Sequence, residues 1–148
     1  MRSSTIQSRA DIETYIGHFN AHEYDQQIAY YADDVAYRVG SLELTSPAAI
    51  KAFYADFHEH CDEDMRLLAC AVDGDTVAGV VQTSFEPFRD YVRHGLEFRV
   101  GHGFTVISLL FYALSNGKIR RINMARYGGS ASDFDAFRPL QAASQDDG

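Results

Sequence analysis

The stretch YYADDVAYRVG, residues 30–40, lies where the helical start of the chain changes into a sheet. Before it, apolar residues recur at intervals of three and four, at Ile12, Tyr15, Ile16 and Phe19. That spacing predicts a helix over 9–22, and a shorter helix is predicted over 24–31. An acidic turn, Asp33-Asp34, then leads into VAYRV, residues 35–39, which has the composition of a first strand.

Beyond this stretch the sequence predicts one more helix and then strands alone. Ser46 is suited to the N-cap and Pro47 to the first position of the third helix. Strands are predicted over 65–72 and 75–85, with Asp73-Gly74 as the hairpin turn between them.

A loop over 87–96 is expected to lead into a long strand that bends at Gly101 and Gly103. A turn at residues 115–117 then returns the chain into a last strand over 118–127. Three helices and a strongly bent antiparallel sheet make an α+β architecture.

Composition narrows the class of protein. The chain has 148 residues, enough for one domain, and a formal net charge of -8, with 21 acidic against 13 basic side chains. Such a field repels phosphate backbones, so we expect no nucleic-acid partner. We also expect no membrane association, a cytoplasmic location and two reduced cysteines. The predicted organisation is a flexible N-terminus over 1–8, a domain over 9–128 and a loosely ordered tail over 129–148.

The segment 104–114 is apolar at both its even and its odd positions. A strand with one solvent-exposed face should alternate, so both faces of this strand must be covered. A second copy of the chain could cover the outer face, or the loop over 87–96 or the tail could fold across it. We expect a homodimer through the outer face of the sheet, because the apolar face is large.

The motifs YYADDV, AIKAFY and NGKIRRI, in this order of elements, resemble the NTF2-like superfamily. Within it the chain resembles the SnoaL-like polyketide cyclases and the Δ5-3-ketosteroid isomerases, over about residues 10 to 127. The resemblance implies an NTF2-like cone in which three N-terminal helices pack on a strongly curved mixed or antiparallel sheet. It also implies a pocket for a small-molecule substrate.

The resemblance to ketosteroid isomerases is partial at the residue level. It implies that Tyr15 hydrogen-bonds a developing oxyanion and that Tyr31 and Tyr54 support it. The catalytic base of that family would fall at Val39 and its protonated acid near Leu109. Neither side chain exchanges a proton, so that isomerase mechanism is not expected here.

Strand alternation predicts which side chains face the pocket. If Val39 faces inward, Tyr37 does too and Arg38 faces away, although a slip of one residue would exchange them. On the later strands the predicted inward residues are Val80, Gln82, Ser84, Glu86, Thr105, Ile107, Leu109, Phe111, Ile122, Met124 and Arg126. The full set of predicted substrate-binding residues is Tyr37, Arg38, Phe53, Tyr54, Phe57, Gln82, Ser84, Thr105, Leu109 and Met124.

Four side chains are candidates for the chemistry itself. Tyr15 could donate a hydrogen bond to a carbonyl or enolate oxygen, and Glu86 could be a base whose pKa is raised by burial. Arg126 could bind an anionic oxygen, and His102 could transfer a proton near neutral pH. The alternatives are a core tyrosine, a Glu86–Arg126 pair or solvated charges, and an exposed loop histidine.

The segment HEHCDED, residues 58–64, has metal-ligand residue types. On a helix His58, Cys61 and Asp62 would share a face, but structural zinc sites need a second pair of ligands, and the sequence has no CxxC or HExxH motif. No glycine-rich phosphate loop follows a strand before a helix. We therefore expect no metal and no cofactor.

Two functions of different classes follow. The first is a cofactor-independent isomerase, cyclase or dehydratase that acts on an apolar oxygenated molecule of polyketide, terpenoid or alkaloid biosynthesis. The alternative is a non-catalytic binding or assembly module whose cone is filled by side chains. A cavity of about 300 Å³ or more would favour the enzyme.

Overall fold

The computed structural model describes residues 4–127, which form three helices and eight strands. The helices are α1 (Arg9–Asn20), α2 (Tyr24–Ile28) and α3 (Pro47–Phe57). The strands are β1 (Tyr31–Val39), β2 (Leu42–Leu44), β3 (Cys61–Asp73), β4 (Thr76–Pro87), β5 (Tyr91–Arg93), β6 (Leu96–Phe98), β7 (Phe104–Ser115) and β8 (Lys118–Arg126).

Six strands form one mixed sheet in the order β2-β1-β8-β7-β4-β3. The strands β1 and β8 are parallel, with Tyr37 beside Ile122, and the other neighbours are antiparallel. The register shifts in the β1/β8, β3/β4 and β7/β8 pairs. Such irregularities bend a strand and increase its twist, so the sheet curves around the helices. The α+β NTF2-like cone predicted from the sequence is confirmed.

The helices α1 and α3 form where capping and spacing predicted them, but α2 ends at Ile28 instead of 31, and the predicted turn Asp33-Asp34 lies within β1. The hydroxyl of Ser46 accepts a hydrogen bond from the Ala49 N–H at 3.1 Å, and Pro47 occupies the first turn of α3. The apolar face of α1 is buried as expected. Ser8 lies at the N-cap of α1, but its side chain makes no cap hydrogen bond; the Asp11 carboxylate accepts one from the Gln7 N–H instead.

The chain between β4 and β7 differs from the prediction. The expected loop over 87–96 contains β5, and β5 pairs with β6 in a separate two-stranded ribbon. The long strand expected from residue 96 is therefore interrupted, and its continuous part begins at Phe104. Asp90 accepts hydrogen bonds from Val100 and Arg99, which fold the chain back before β7.

The predicted facing of β4 and β7 was wrong by one residue. The buried inner positions are Val77, Val81 and Thr83 on β4 and Ser108, Leu110 and Tyr112 on β7. The residues predicted to face inward lie on the outer face instead: Val80 is opposite Leu109, Gln82 is opposite Ile107, and Ser84 is opposite Thr105. Ile107 shares their register but is fully buried. Because both faces of these strands are rich in apolar residues, the pattern could not distinguish the two facings, and a one-residue slip reverses every side chain.

The beginning of the described chain packs on the domain. Ile6 is buried, and its N–H donates to the Gly117 carbonyl at 2.8 Å. The predicted tail over 129–148 lies outside the described residues. Within residues 4–127 no helix has both the length and the apolar character needed to cross a bilayer.

Candidate active site

A cavity of about 220 Å³ lies between α3, the inner face of the sheet and the β5–β6 ribbon. We call it the cone cavity. Its lining is mainly apolar, with a few polar groups on different elements. The lining residues are Tyr37, Arg38, Val39, Gly40, Phe53, Tyr54, Phe57, Glu63, Met65, Thr83, Phe85, Leu96, Phe98, Val106, Ser108 and Met124.

Two tyrosine hydroxyls meet at the cavity wall. Tyr37 points inward from β1 by the strand alternation, and Tyr54 comes from the buried face of α3. Their hydroxyl oxygens lie 2.5 Å apart. Burial raises the pKa of both phenols well above 10, so both keep their protons at neutral pH. The pair can therefore offer a hydrogen-bond donor to a bound oxygen.

Tyr15 belongs to a second buried pair, which does not line the cone cavity. Its hydroxyl lies 2.5 Å from that of Tyr31, and the Gln27 amide donates to Tyr31 at 3.0 Å. Burial raises the pKa of Tyr31 to about 12 and that of Tyr15 well above 10. The hydroxyls of this second pair therefore bond within the core. The Tyr54 hydroxyl bonds that of Tyr37 and not that of Tyr15.

A buried carboxylate faces the cavity from β3. The Glu63 side chain is only 8% exposed and lines the cone cavity. Burial raises the pKa of this carboxyl above its ordinary value of 4.5, and the hydrogen bond and charge of His58 oppose that shift. A carboxyl group that acts as a general acid or base usually lies in such an apolar cavity and has a raised pKa.

The partner of Glu63 is a histidine at the end of α3. The His58 side chain is 2% exposed, and its Nε2 lies 3.0 Å from Glu63 Oε1. Its Nδ1 lies 2.7 Å from the Tyr24 hydroxyl. The His22 ring stacks on the imidazole with centroids 4.3 Å apart and planes 7° apart. Both nitrogens of the imidazole therefore have a partner.

The helical interpretation of HEHCDED was wrong. The helix α3 ends at Phe57, His58 is its C-cap, and Cys61 and Asp62 belong to β3, so these three do not share a helix face. Burial raises the pKa of the Cys61 thiol to about 12. In the part of the chain from residue 4 to 127, no three His, Cys, Asp or Glu side chains are grouped so that they could hold a metal ion.

The remaining predicted residues divide into two sets. The cavity is lined by Tyr37, Arg38, Phe53, Tyr54, Phe57 and Met124. Arg38 is at its solvent-exposed edge, with the side chain 72% exposed. The residues that do not line it are Tyr15, Gln82, Ser84, Glu86, Thr105, Leu109, His102 and Arg126.

The positions of Glu86, His102 and Arg126, which do not line the cavity, have physical explanations. Glu86 is exposed and lies opposite Asp62 in the β3/β4 register, on the outer face, because the facing of β4 is reversed. His102 is exposed in the turn before β7. Arg126 is opposite Ser108, in inward register, but it lies at the exposed end of β8.

Sequence reasoning missed the polar groups that matter most here, Glu63, Thr83 and Ser108. The strand β3 begins at Cys61 rather than at 65. Alternation from Cys61 would have put Glu63 on the same face as Met65 and Leu67. The sequence contains that signal, but the helical interpretation of residues 58–64 hides it. Thr83 and Ser108 follow from the corrected facing of β4 and β7.

The comparisons with known proteins agree with this fold. The SnoaL-like domain family matches residues 12–122, three quarters of the chain, and the chain belongs to that family. No relative among curated proteins matches the sequence.

Solved structures share the fold at low identity. A SnoaL-like polyketide cyclase from Agrobacterium tumefaciens is 15% identical, with a TM-score of 0.67 over 86% of this chain and 98% of that one. A candidate polyketide cyclase from a Silicibacter species is 22% identical, with a TM-score of 0.67 over 88% and 94%. A Catenulispora acidiphila protein with a ketosteroid isomerase-like fold, bound to trimethylamine, is 10% identical, with a TM-score of 0.66 over 80% and 86%. At these identities the similarity establishes the fold alone.

Proposed function

We propose that the chain is an enzyme that rearranges a small oxygenated molecule in the cone cavity by proton transfer. One observation carries the proposal: a buried carboxylate, Glu63, and a protonated hydroxyl pair, Tyr37–Tyr54, line the same apolar cavity. A base and an oxyanion donor around one cavity are what enolisation requires. Membership of the SnoaL-like family supports an isomerase or cyclase.

The proposed step uses only groups of the chain. The Glu63 carboxylate removes a proton from a carbon beside a carbonyl group, and the C–H electron pair becomes the C=C bond of an enolate. When Tyr54 donates to Tyr37, the Tyr37 proton is left for the enolate oxygen. The protonated Glu63 then returns its proton to another carbon in an isomerisation. In a cyclisation the enolate attacks a second carbonyl carbon of the same molecule, the C=O π bond of that carbonyl opens to an alkoxide, and the alkoxide takes the proton from Glu63.

The cavity volume bears on the alternative function. At about 220 Å³ it is below the roughly 300 Å³ expected of an enzyme pocket, which by itself favours a module filled by side chains. The buried Glu63–His58 pair favours the enzyme, because burying two ionisable groups costs free energy that a purely structural core avoids.

The volume of the cone cavity also limits the size of the substrate. An engineered cavity of about 150 Å³ binds benzene, so the cone cavity suits one substituted ring better than several fused rings. Within the polyketide, terpenoid and alkaloid classes we therefore propose a monocyclic carbonyl compound as substrate. We place the reaction in the cytoplasm, where free thiols such as Cys61 and Cys70 stay reduced.

The test is hydrogen–deuterium exchange at carbon. A panel of monocyclic enones and β-diketones is incubated with the protein in D₂O, and loss of the α-proton signal is followed by ¹H NMR. We expect faster exchange of at least one compound with the native chain and a loss of about a hundredfold or more in Glu63→Gln.

Glu86→Gln is the matched control, because it removes an exposed carboxylate on the outer face and should keep the native rate. Equal exchange rates in Glu63→Gln and the native chain would contradict the proposal. Specific binding of a panel compound without any exchange would favour the binding module.

We further propose that two copies of the chain pair through the outer face of the sheet. Leu109 and Phe111 are 44% and 43% exposed there, beside Val80 and Ala78. One of the two alternative covers, the loop over 87–96, packs elsewhere, since Tyr91 of the ribbon contacts Phe57 of α3 with ring centroids 5.0 Å apart. The other, the tail, lies outside the described residues. A second copy presents the same apolar patch and can bury it around a two-fold axis.

A further inference from the structure

The His58 imidazole joins the cavity carboxylate to a group on another element. Its Nε2 lies 3.0 Å from Glu63 Oε1 on β3, and its Nδ1 lies 2.7 Å from the Tyr24 hydroxyl on α2. We propose that His58 is the positioning residue that keeps Glu63 ionised and aimed into the cone cavity. This inference rests on the proposed function, since it concerns the base of that reaction.

The donor roles in this chain of bonds follow from chemistry. An ionised carboxylate can only accept, so Nε2 must carry the hydrogen of the bond to Glu63. A neutral His58 then accepts from the Tyr24 hydroxyl at Nδ1. A charged His58 donates there, and the Tyr24 hydroxyl can turn to the Tyr54 carbonyl, 3.5 Å away. The carboxylate keeps its donor in both charge states of the imidazole.

Ring contacts hold the imidazole in this orientation. His22 stacks on one face, and the Phe19 ring meets it edge-on with centroids 5.5 Å apart. The Tyr54 ring contacts it from α3, also at 5.5 Å. A ring with fixed neighbours and two bonded nitrogens cannot rotate away from Glu63 without losing both bonds. His58 therefore restricts the carboxylate to one direction, which favours its use as a base.

Four ionisable groups face His58 from the elements packed around it. The ionisable groups that face His58 are Glu63 from β3, Tyr24 from α2, His22 from the α1–α2 connection and Tyr54 from α3. The charge of Glu59 raises the pKa of Tyr24, and the charge of Asp62 acts on His22. Burial and the neighbouring His58 lower the pKa of His22, so His22 is neutral above its ordinary value of 6.5.

The sign of the pH effect follows from Glu63. Burial raises the pKa of its carboxyl, and His58 lowers it again through a hydrogen bond and its charge. Without His58 only the effect of burial on the pKa of Glu63 remains, so this carboxyl stays protonated to higher pH. The rising limb of the pH–rate profile should then move to higher pH, with about tenfold lost activity on that limb per pH unit of movement.

The experiment measures Glu63 directly and needs no substrate. The chain is labelled with glutamate carrying ¹³C at the side-chain carboxyl, and the Glu63 signal is assigned by its absence in Glu63→Gln. Its titration is compared in the native chain, His58→Leu, Tyr24→Phe and His60→Leu. His60 is the matched control, because its ring bonds the Asp56 carbonyl at 3.0 Å and has no bond to Glu63.

We expect the Glu63 midpoint to move to higher pH in His58→Leu and less far, in the same direction, in Tyr24→Phe. It should stay at the native value in His60→Leu. If His58→Leu does not fold, Tyr24→Phe carries the test, since it keeps the imidazole and removes only one partner. An unchanged midpoint in Tyr24→Phe, and in a folded His58→Leu, would overturn the inference.

The outcomes separate this inference from the proposed function. Movement of the midpoint in a chain that exchanges no carbon-bound hydrogen would support the role of His58 and contradict the enzyme. Loss of exchange in Glu63→Gln without any movement in His58→Leu would keep the enzyme and overturn the role of His58.

Discussion

At the scale of single residues, two tyrosine pairs have the same geometry and different surroundings. The hydroxyls of Tyr37–Tyr54 and Tyr15–Tyr31 are each 2.5 Å apart. Only the first pair lines the cone cavity. Position relative to the cavity, rather than the hydrogen bond itself, therefore decides which hydroxyl can contact a substrate.

Tyr37→Phe should lower turnover by about a hundredfold, because it removes a preorganised donor to a developing oxyanion. Tyr15→Phe is the matched control and should change turnover by only a few-fold, because its hydroxyl serves the core. Initial rates in the exchange assay, with melting temperatures to verify folding, provide the measurement. A larger loss in Tyr15→Phe than in Tyr37→Phe would return the oxyanion role to Tyr15.

At the scale of elements, the β5–β6 ribbon completes the cone cavity. Leu96 and Phe98 line it, and Arg93 of the ribbon binds Asp56 of α3 at 2.8 Å. The Ser41 N–H donates to the His94 carbonyl at 2.8 Å, which joins the ribbon to the β1–β2 turn. The backbone at Gly40 makes this approach possible, since its φ is +58° and a Cβ there would collide with the His94 carbonyl oxygen.

Gly40→Ala should therefore destabilise the chain by about 1–3 kcal/mol and loosen the ribbon. The control is Gly17→Ala in the middle of α1, where an added Cβ has no neighbour within 4 Å. That change should stabilise the chain by about 0.5–1 kcal/mol, because alanine suits a helix better than glycine. Denaturant unfolding of both variants gives the comparison, and a Gly40→Ala chain as stable as the native one would contradict the collision.

At the scale of the whole molecule, the outer face of the sheet sets the expected assembly. Leu109→Asp places a charge beside Val80 and Ala125, against the apolar patch of the second copy. We expect the native chain to sediment as a dimer at micromolar concentration and Leu109→Asp to sediment as a monomer. Thr76→Asp, at the exposed first residue of β4, should leave the dimer intact. A native chain of monomer mass would contradict the pairing.

Apart from the β5–β6 ribbon, the order of elements could be predicted from the sequence because it depends on local signals. The spacing of Ile12, Tyr15, Ile16 and Phe19, the Ser46-Pro47 cap and the Asp73-Gly74 turn each act within a few residues. Together with the motifs that resemble the SnoaL-like proteins, they were enough for the α+β cone. They also placed Tyr37, Phe53, Tyr54 and Phe57 at the cavity.

Only the tertiary structure decided which polar groups share that cavity. The strands β4 and β7 are apolar on both faces, so their facing depends on pairing across the sheet and not on their own pattern. Glu63 and His58 are five residues apart, and α3 had to end at Phe57 and β3 to begin at Cys61 before their side chains could meet at 3.0 Å. Local propensity determined the elements, whereas the chemistry of the site depends on contacts that form only when those elements pack.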